Sequence, residues 1–459
     1  MFAFISINTL AYLATLGAIA FCVVLFRIAG HDIRRAPRNL VNNWRWILMS
    51  AVTIIVATHA LLLAPTPPPG SQCVETQHVG GPLNIVLSCD SYQFITSARE
   101  PANLLGYRSW NQARPLGVVA ASLLTLVESR FSGVLGYPYG VKHQPGWLSY
   151  VVLNFILLMV ALMIFRRLNR PLTTTGAAMV AVLCTFLVFN DVVKGFFWSA
   201  HTQMWNVLMP LISISLSNMF LRWPIRSWSF MIVTGLLLGI GFLAYGSLVI
   251  CLAAVIVSVV LGLWINRDRP SLPALTGKLA VFLLAFAVPV SIWIALVKRV
   301  SGVFFSPEAE IFRQFVWILD SWRAGGMPAL LSQTRIFLGA FFVHFGNVVW
   351  PALVLLPIVL VVRIVAPDRL RETIKDRSLM LGAAAITLVI AAVFYALMGF
   401  YRNRLEFNVV MPLLVIASVL LTGVIERLPR QQTVLTLTLV VIAAVAFIAS
   451  ALVRVTWPY

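Results

Sequence analysis

The sequence predicts an all-α polytopic membrane protein with about twelve transmembrane helices and with interfacial helices in a large first outer loop. Hydrophobic residues make up 60% of the 459 residues and charged residues only 11%, which is more apolar surface than a soluble chain of this length can bury. Uncharged stretches of roughly 19 to 22 residues recur, and each is long enough to cross a bilayer core of about 30 Å as a helix. The whole chain, 1–459, is therefore interpreted as one integral membrane domain.

The apolar stretches define the predicted spans in chain order. They are 2–26, 46–64, 147–165, 172–190, 204–221, 228–246, 248–265, 279–297, 336–362, 379–398, 408–425 and 433–452. One helix over 228–265 would be far longer than a bilayer requires. The prediction therefore places a break near Tyr245, Gly246 and Ser247, where glycine permits a tight turn.

The basic residues predict the orientation of these spans. Twenty of the 34 Lys and Arg residues fall in short alternate gaps, beginning with 27–45, and the positive-inside rule assigns those gaps to the cytoplasm. We therefore expect a multi-pass protein of the plasma membrane, which is the inner membrane in a bacterium, with both termini extracytoplasmic. Topology accounts for much of the net charge of +19, and no basic stripe with interleaved aromatics indicates a nucleic-acid partner.

Two outer loops are large, 65–146 and 298–335, and both are predicted to carry helices along the membrane surface. In the first, Asp90 is a good N-cap for a helix, and the apolar segment 115–127 is too short to span the bilayer. In the second, a helix over roughly 307–323 is expected to end at a pair of glycines.

Two cysteines, Cys73 and Cys89, share the first outer loop. A disulfide between them is favoured over two unrelated free thiols, because an extracytoplasmic loop lies in an oxidising compartment.

The segment Asp90-Ser91-x-x-Phe94, followed downstream by Ala-Arg-Pro-Leu-Gly at 113–117, resembles the first outer loop of the GT-C glycosyltransferases. The resemblance is to members related to the protein O-mannosyltransferases and the lipid A aminoarabinose transferases. It implies a hexosyl- or pentosyltransferase that moves a sugar from a polyprenyl-phosphate donor to a lipid, glycan or protein acceptor on the outer face. It also implies Asp90 as the catalytic base. No second acid adjoins Asp90, which argues against a metal-binding pair of acids, and a divalent metal ion stays open as a cofactor.

Several outer basic residues next to span ends are candidates for binding the donor phosphate, because cations stabilise a departing phosphate and Arg suits bidentate binding. They are Arg114, Lys298, Arg299, Arg402 and Arg404. The alternative is that they bind lipid headgroups or pair with local acids.

Asp191 and His201 form an accessory outer group between two spans. His201 could assist proton transfer, but a structural hydrogen bond is the commoner role for a single histidine beside a Trp-rich interface.

Other functions remain open at this point. A transporter or flippase of a lipid-linked saccharide suits twelve spans, although no charge lies inside them. An O-antigen polymerase or ligase would also carry outer arginines, and a non-catalytic subunit is a further alternative. The absence of a Walker loop, Rossmann glycine fingerprint or zinc-type spacing argues against soluble nucleotide-driven chemistry.

Overall fold

The structure is a computed structural model, and it describes residues 51–55, 57, 74–80, 83–88, 90–135, 146–224, 227–266 and 272–453. The first predicted span (2–26), most of the second (46–64), the basic gap 27–45 and both Cys73 and Cys89 lie outside the described residues.

The described part of the chain is mostly helical, with one β-hairpin in the first large loop. The strands and α-helices, in chain order, are β1 Val74–Gly80, β2 Leu83–Ser88, α1 Ser91–Arg99, α2 Pro115–Leu135, α3 Trp147–Asn169, α4 Thr174–Val188, α5 Asp191–Phe196, α6 Trp205–Arg222, α7 Trp228–Phe242, α8 Val249–Asn266, α9 Leu272–Ser301, α10 Pro307–Glu310, α11 Val316–Val348, α12 Trp350–Val365, α13 Pro367–Asp376, α14 Ser378–Met398, α15 Asn403–Ile425 and α16 Arg430–Val453. Two short 3₁₀ helices cover Pro101–Leu105 and Gly246–Leu248.

Seven of the described helices are long and apolar enough to cross a membrane, namely α3, α8, α9, α11, α14, α15 and α16. The pair α12 and α13 forms a further candidate that bends by 112° at its break, and α4 and α7 are apolar but shorter. The chain is therefore a polytopic membrane protein. The described helices do not confirm the predicted count of twelve spans.

The predicted break in 228–265 is confirmed. Helix α7 ends at Phe242, a 3₁₀ turn covers Gly246–Leu248, and α8 begins at Val249. The turn places Tyr245 between two helices rather than inside one.

Helices α7 and α9 pack closely because two glycines lie on the contact face. A Cβ atom at Gly235 would lie 2.5 Å from the carbonyl oxygen of Phe282, and one at Gly239 would overlap the carbonyl oxygen of Phe286. Small residues four positions apart let two membrane helices approach backbone to backbone. The contact holds α9 against α7 on one side of the candidate site.

The first large loop contains the two expected helices, with three differences. Helix α2 continues to Leu135 instead of ending near 127. Strands β1 and β2, which the sequence analysis did not predict, form an antiparallel hairpin. The predicted capping bond of Asp90 is wrong, since this residue has helical dihedrals (φ −69°, ψ −14°) and its side chain makes no capping hydrogen bond. A capping side chain normally requires an extended backbone at that position.

The second large loop differs more from the prediction. The helix expected over 307–323 is instead a single turn, α10, followed by α11, which begins at Val316. The expected glycine break is confirmed, because Gly325 (φ −165°, ψ 22°) and Gly326 (φ 61°, ψ −144°) have non-helical dihedrals within α11.

The predicted span 336–362 is divided between two helices. Helix α11 ends at Val348 and α12 begins at Trp350, just before Pro351. Proline has no backbone N–H to donate, so the hydrogen-bond ladder is interrupted at this position.

Gaps that the charge pattern assigned to one side of the membrane contact one another. Arg377 donates to the backbone carbonyl oxygens of Asn169 and Arg170, and Arg427 pairs with Asp376. These residues lie in three different gaps that were all predicted to be cytoplasmic. The structure thus groups the gaps as predicted, and the assignment of this basic end to the cytoplasm stays a prediction.

Candidate functional site

A cavity of about 460 Å³ lies where the two large loops meet the opposite end of the helix bundle. Much of its wall is apolar or aromatic, and includes Phe242, Val290, Ile294, Phe312 and Phe394. The polar residues of the wall are Arg114, Gln203, Tyr245, Ser247, Ser306, Glu308, Gln314 and Arg404. Such a cavity can accommodate a ligand that carries both a hydrocarbon part and an anionic or hydroxylated part.

Arg114 and Glu308 form an ion pair in the cavity wall. Arg114 comes directly before α2, and Glu308 lies in the single turn of α10. Both side chains are largely buried. Burial by itself would raise the pKa of Glu308, but the positive charge of Arg114 lowers it below its ordinary value. Glu308 is therefore ionised at neutral pH and Arg114 is engaged by an internal carboxylate.

Arg114 has further partners that fix its position. Its Nη1 lies 3.4 Å from the hydroxyl of Thr202, and its guanidinium carbon lies 5.5 Å from the centre of the Tyr245 ring. Cations favour such positions near an aromatic ring, because the ring carries negative charge on its faces. The loops before α2, before α6 and before α8 therefore meet at this one guanidinium.

Asp90 lies beside a buried histidine. The Nε2 atom of His201 is 3.5 Å from Oδ2 of Asp90, and the His201 side chain is 2% exposed whereas that of Asp90 is 39% exposed. The His201 ring packs between Phe94 and Phe196, with centroid distances of 4.7 Å and 5.2 Å. One carboxylate oxygen of Asp90 thus contacts the His201 ring, and the position of that ring is set by its packing against two phenylalanines.

The protonation of His201 follows from its two neighbours. The backbone N–H of Thr202 donates to Nδ1 at 2.9 Å, so Nδ1 is the acceptor and Nε2 carries the proton that faces Asp90. Burial lowers the pKa of His201 to about 4, because the effect of Asp90, which raises it, is outweighed by burial together with Arg404 and Arg114. His201 is therefore neutral at physiological pH.

Arg404 approaches the same group from the first turn of α15. Its guanidinium carbon lies 5.4 Å from the centre of the Phe196 ring, and its side chain lines the cavity. Its charge also lowers the pKa of His201, although less than burial does. Two arginines from distant parts of the chain, Arg114 and Arg404, thus flank the cavity wall.

A chain of buried hydrogen bonds connects α15 to the cavity wall. Asn408 donates to Oδ1 of Asn206 at 2.7 Å, and Asn206 donates to Oε1 of Gln203 at 2.6 Å. The hydroxyl of Tyr245 donates to the same Gln203 oxygen at 3.0 Å. Hydrogen bonds buried in a low-dielectric interior are strong, and these hold the side chains of Asn206, Gln203 and Tyr245 together, although Oδ1 of Asn408 has no hydrogen-bond partner among the described residues.

The structure brings together only some of the residues singled out in the sequence. Asp90, Arg114, His201 and Arg404 converge, with Arg114 and Arg404 lining the cavity and Asp90 standing beside it at His201.

The other candidates lie apart from this group or cannot be placed. Lys298 and Arg299 are exposed near the end of α9 and are not part of the cavity wall. The guanidinium carbon of Arg402 lies 5.5 Å from the centre of the Phe400 ring, and Arg402 does not line the cavity either. For Asp191 the structure describes the backbone alone, at the start of α5, and the disulfide proposed for the first loop involves residues outside the described part.

Three functional candidates were missed in the sequence. Glu308 was noted only as one of several charges in the second large loop, and Tyr245 only as part of a turn. Gln203 follows His201 by two residues and was not considered. A signal for Glu308 was present, because it follows Ser306 and Pro307, which start a helix turn and fix the direction of an acidic side chain.

The divalent metal ion that the sequence left open as a cofactor stays a hypothesis. No three His, Cys, Asp or Glu side chains converge closely enough to hold one in the part of the chain that the structure describes. The two acids near the cavity, Asp90 and Glu308, are each engaged by a nitrogen-bearing side chain.

No protein family and no curated protein matches this sequence. Among solved structures, the chain is similar to the crystal structure of ArnT from Cupriavidus metallidurans bound to undecaprenyl phosphate, with a TM-score of 0.46 and 13% sequence identity. The superposition covers 85% of this chain and 62% of that protein.

Proposed function

We propose that this protein is a membrane glycosyltransferase that moves a sugar from a polyprenyl-phosphate donor to a hydroxyl group of an acceptor. The observation that supports it is the convergence of Arg114, Arg404 and the Asp90–His201 pair beside a cavity with an apolar and aromatic wall. A donor of this class combines the same three features in one molecule, namely an apolar chain, a phosphate and a polyhydroxylated head. The resemblance of the Asp90 and Arg114 segments to the GT-C glycosyltransferases supports the same reaction class.

The residues have distinct roles in this proposal. The carboxylate of Asp90 accepts the proton of the acceptor hydroxyl as its oxygen forms a bond to the anomeric carbon of the sugar. The bond between that carbon and the phosphate oxygen breaks, and its electron pair leaves with the phosphate. Arg114 and Arg404 stabilise the charge on the departing polyprenyl phosphate.

The donor phosphate must share Arg114 with Glu308. The carboxylate of Glu308 forms an ion pair with the guanidinium of Arg114. A phosphate that enters the cavity therefore meets one arginine that is already paired with a carboxylate and a second lining arginine, Arg404. Binding is expected to draw Arg114 away from Glu308 or to place the phosphate between Arg114 and Arg404.

The test is the release of polyprenyl phosphate by the purified protein in nanodiscs. A panel of undecaprenyl-phosphate sugars and a cell-envelope extract as acceptor would be followed by mass spectrometry. In Asp90→Asn the amide oxygen can still accept from His201 while the basic carboxylate is lost, so turnover is expected to fall by about 10² or more. The melting temperature should stay unchanged, because the Asp90 side chain does not cap α1.

Two outcomes would count against this function. Full turnover in correctly folded Asp90→Asn would remove Asp90 as the base. Movement of the intact lipid-linked sugar across the membrane, without cleavage of the sugar–phosphate bond, would favour the transporter or flippase alternative.

A further inference from the structure

Both ring nitrogens of His201 face neighbouring protein groups, one through a hydrogen bond and the other through a close polar contact. Nδ1 accepts the backbone N–H of Thr202, and Nε2 faces Oδ2 of Asp90. The ring is 2% exposed and does not belong to the cavity wall. A histidine that exchanges protons with a substrate needs a nitrogen within reach of it, and this one has none.

The backbone bond to Nδ1 decides the direction of the contact with Asp90. Since Nδ1 is the acceptor, the single proton of the neutral ring sits on Nε2 and points at the carboxylate. The opposite tautomer would place a lone pair of Nε2 against the negative oxygen. The local backbone thus makes His201 a donor to Asp90.

We propose that His201 is a positioning residue, which uses its Nε2–H to hold the carboxylate of Asp90 in the orientation in which its other oxygen accepts the proton of the acceptor hydroxyl. The inference rests on the proposed function for the role of Asp90, and it assigns His201 no contact with substrate. The neutral ring orients the carboxylate without neutralising its charge, so Asp90 keeps its basicity. An imidazolium at this place would instead pair with Asp90 and weaken it as a base.

The position of the ring is set independently of Asp90. Phe94, on α1, and Phe196, on α5, contact the ring of His201 with centroid distances of 4.7 Å and 5.2 Å. Phe196 is itself contacted by Arg404, whose guanidinium carbon lies 5.4 Å from the ring centre. A ring fixed by packing holds the carboxylate that it contacts more rigidly than a mobile side chain could, which is the requirement for preorganised catalysis.

A purely structural role for His201 is separable from positioning by a pair of variants. His201→Phe keeps an aromatic ring between Phe94 and Phe196 and removes both nitrogens. His201→Gln keeps a side-chain N–H that can reach Asp90. If His201 only fills space, His201→Phe should retain more activity than His201→Gln. If His201 positions Asp90, His201→Gln should retain more activity than His201→Phe.

The expected kinetic result is a loss in kcat with little change in KM. Release of polyprenyl phosphate from undecaprenyl-phosphate sugars in nanodiscs should show kcat lowered about tenfold or more in His201→Phe, as for other residues that orient a reacting group, with partial recovery in His201→Gln. KM for the donor should stay within about twofold, because His201 does not line the cavity. His344→Phe is the matched control, since His344 stacks on Tyr401 and is not part of the cavity wall.

The double variant Asp90→Asn/His201→Phe separates the two claims. If His201 acts only through Asp90, the double variant should be no slower than Asp90→Asn alone. Additive losses, or wild-type kcat in His201→Phe, would overturn the positioning role and leave the proposed function intact. Full activity in Asp90→Asn would overturn the proposed function instead.

A spectroscopic measurement tests the geometry without turnover. Isotope-labelled histidine in the full-length protein gives separate nitrogen resonances for the six histidines, and the set missing from His201→Phe belongs to His201. At neutral pH these should show the tautomer protonated on Nε2, with a shift in Asp90→Asn. A tautomer protonated on Nδ1, or a cationic ring, would overturn the inference without any measurement of turnover.

Discussion

Arg114 and Glu308, which are 194 residues apart in the chain, form an ion pair in the wall of the cavity. A second pair between the same loops, Arg108 with Glu310 at 2.6 Å, lies at the surface. Between the two pairs, Oε1 of Gln112 accepts the backbone N–H of Phe305 at 2.9 Å. The first and second large loops are thus joined next to the cavity, and one of the joining pairs uses an arginine that we assign to phosphate binding.

We expect Glu308→Gln to bind undecaprenyl phosphate more tightly than the wild type, by about tenfold, because the lipid phosphate no longer competes with a carboxylate for Arg114. Glu310→Gln is the matched control, since it removes the partner of Arg108 in an exposed pair and exposed pairs contribute little. Binding to protein in nanodiscs can be measured by native mass spectrometry. Weaker binding in Glu308→Gln alone would mean that Glu308 holds Arg114 in its binding position.

Arg404→Ala should weaken donor binding and lower the rate together. The phosphate carries charge in both the ground state and the transition state, and a charged hydrogen bond of this kind is worth about 10- to 100-fold. Lys298→Ala is the control, because Lys298 was an equally good candidate in the sequence but is exposed and is not part of the cavity wall. Steady-state kinetics with an undecaprenyl-phosphate sugar would compare the two variants. An equal loss of donor affinity and rate in Arg404→Ala and Lys298→Ala would contradict the assigned site.

The stability of the protein should depend on pH through His201. Burial lowers the pKa of His201 to about 4 in the folded protein, whereas a histidine in the unfolded chain has a pKa of about 6.5. The unfolded state therefore binds a proton first as the pH falls, and stability that is present above about pH 6.5 is lost on the way towards about pH 4.

The matched comparison is His201→Phe, in which this loss is absent while the other histidines are retained. Between about pH 7 and about pH 5, the melting temperature in detergent should fall more steeply for the wild type than for the variant. The window lies above the range in which Glu308 takes up a proton. Parallel curves for the two proteins would show that folding does not lower the pKa of His201.

Gly399→Ala should destabilise the fold by about 1 to 2 kcal/mol or more, because Gly399 has φ 75°, where other residues are strained. An added Cβ would also overlap the ring of Trp317, whose Nε1 donates to the carbonyl oxygen of Leu397 at 2.9 Å. Gly339→Ala, on helix α11 with nothing within 4 Å of the added atom, should be neutral or slightly stabilising. Thermal unfolding of both variants measures the difference, and a similar melting temperature for the two would contradict the strain.

Cys73 and Cys89 are expected to form a disulfide. The register of the hairpin pairs Val74 with Ser88, and the two cysteines are the next residues in sequence on either side of that pair. A bridge there would stabilise the loop before Asp90 by about 3 kcal/mol in the chain-entropy model. Alkylation followed by intact-mass analysis, with and without reductant, should show two protected thiols, whereas labelling of both without reductant would refute the bridge.

The sequence by itself determined the local features of this protein. The length of an apolar stretch predicts a membrane-spanning helix, because backbone N–H and C=O groups in lipid must form their hydrogen bonds inside the helix. Most of the predicted spans accordingly have a helix in the described structure. The break near Tyr245 and the kink at Gly325 and Gly326 were also predictable, since glycine acts through the conformation of its own backbone.

Only the tertiary structure decided which polar residues share a site. Apart from the resemblance carried by residues 113–117, nothing near Arg114 in sequence distinguishes it from Lys298 as a phosphate ligand. Nothing near Glu308 indicates that its partner lies in the other loop. Asp90 looked like a helix cap from its neighbours, yet its carboxylate contacts His201 instead. Backbone conformation and the length of an apolar stretch depend on residues that are adjacent in sequence. An ionic interaction depends on the distance between two charges in space, and that distance is set by how helices from the whole chain pack together.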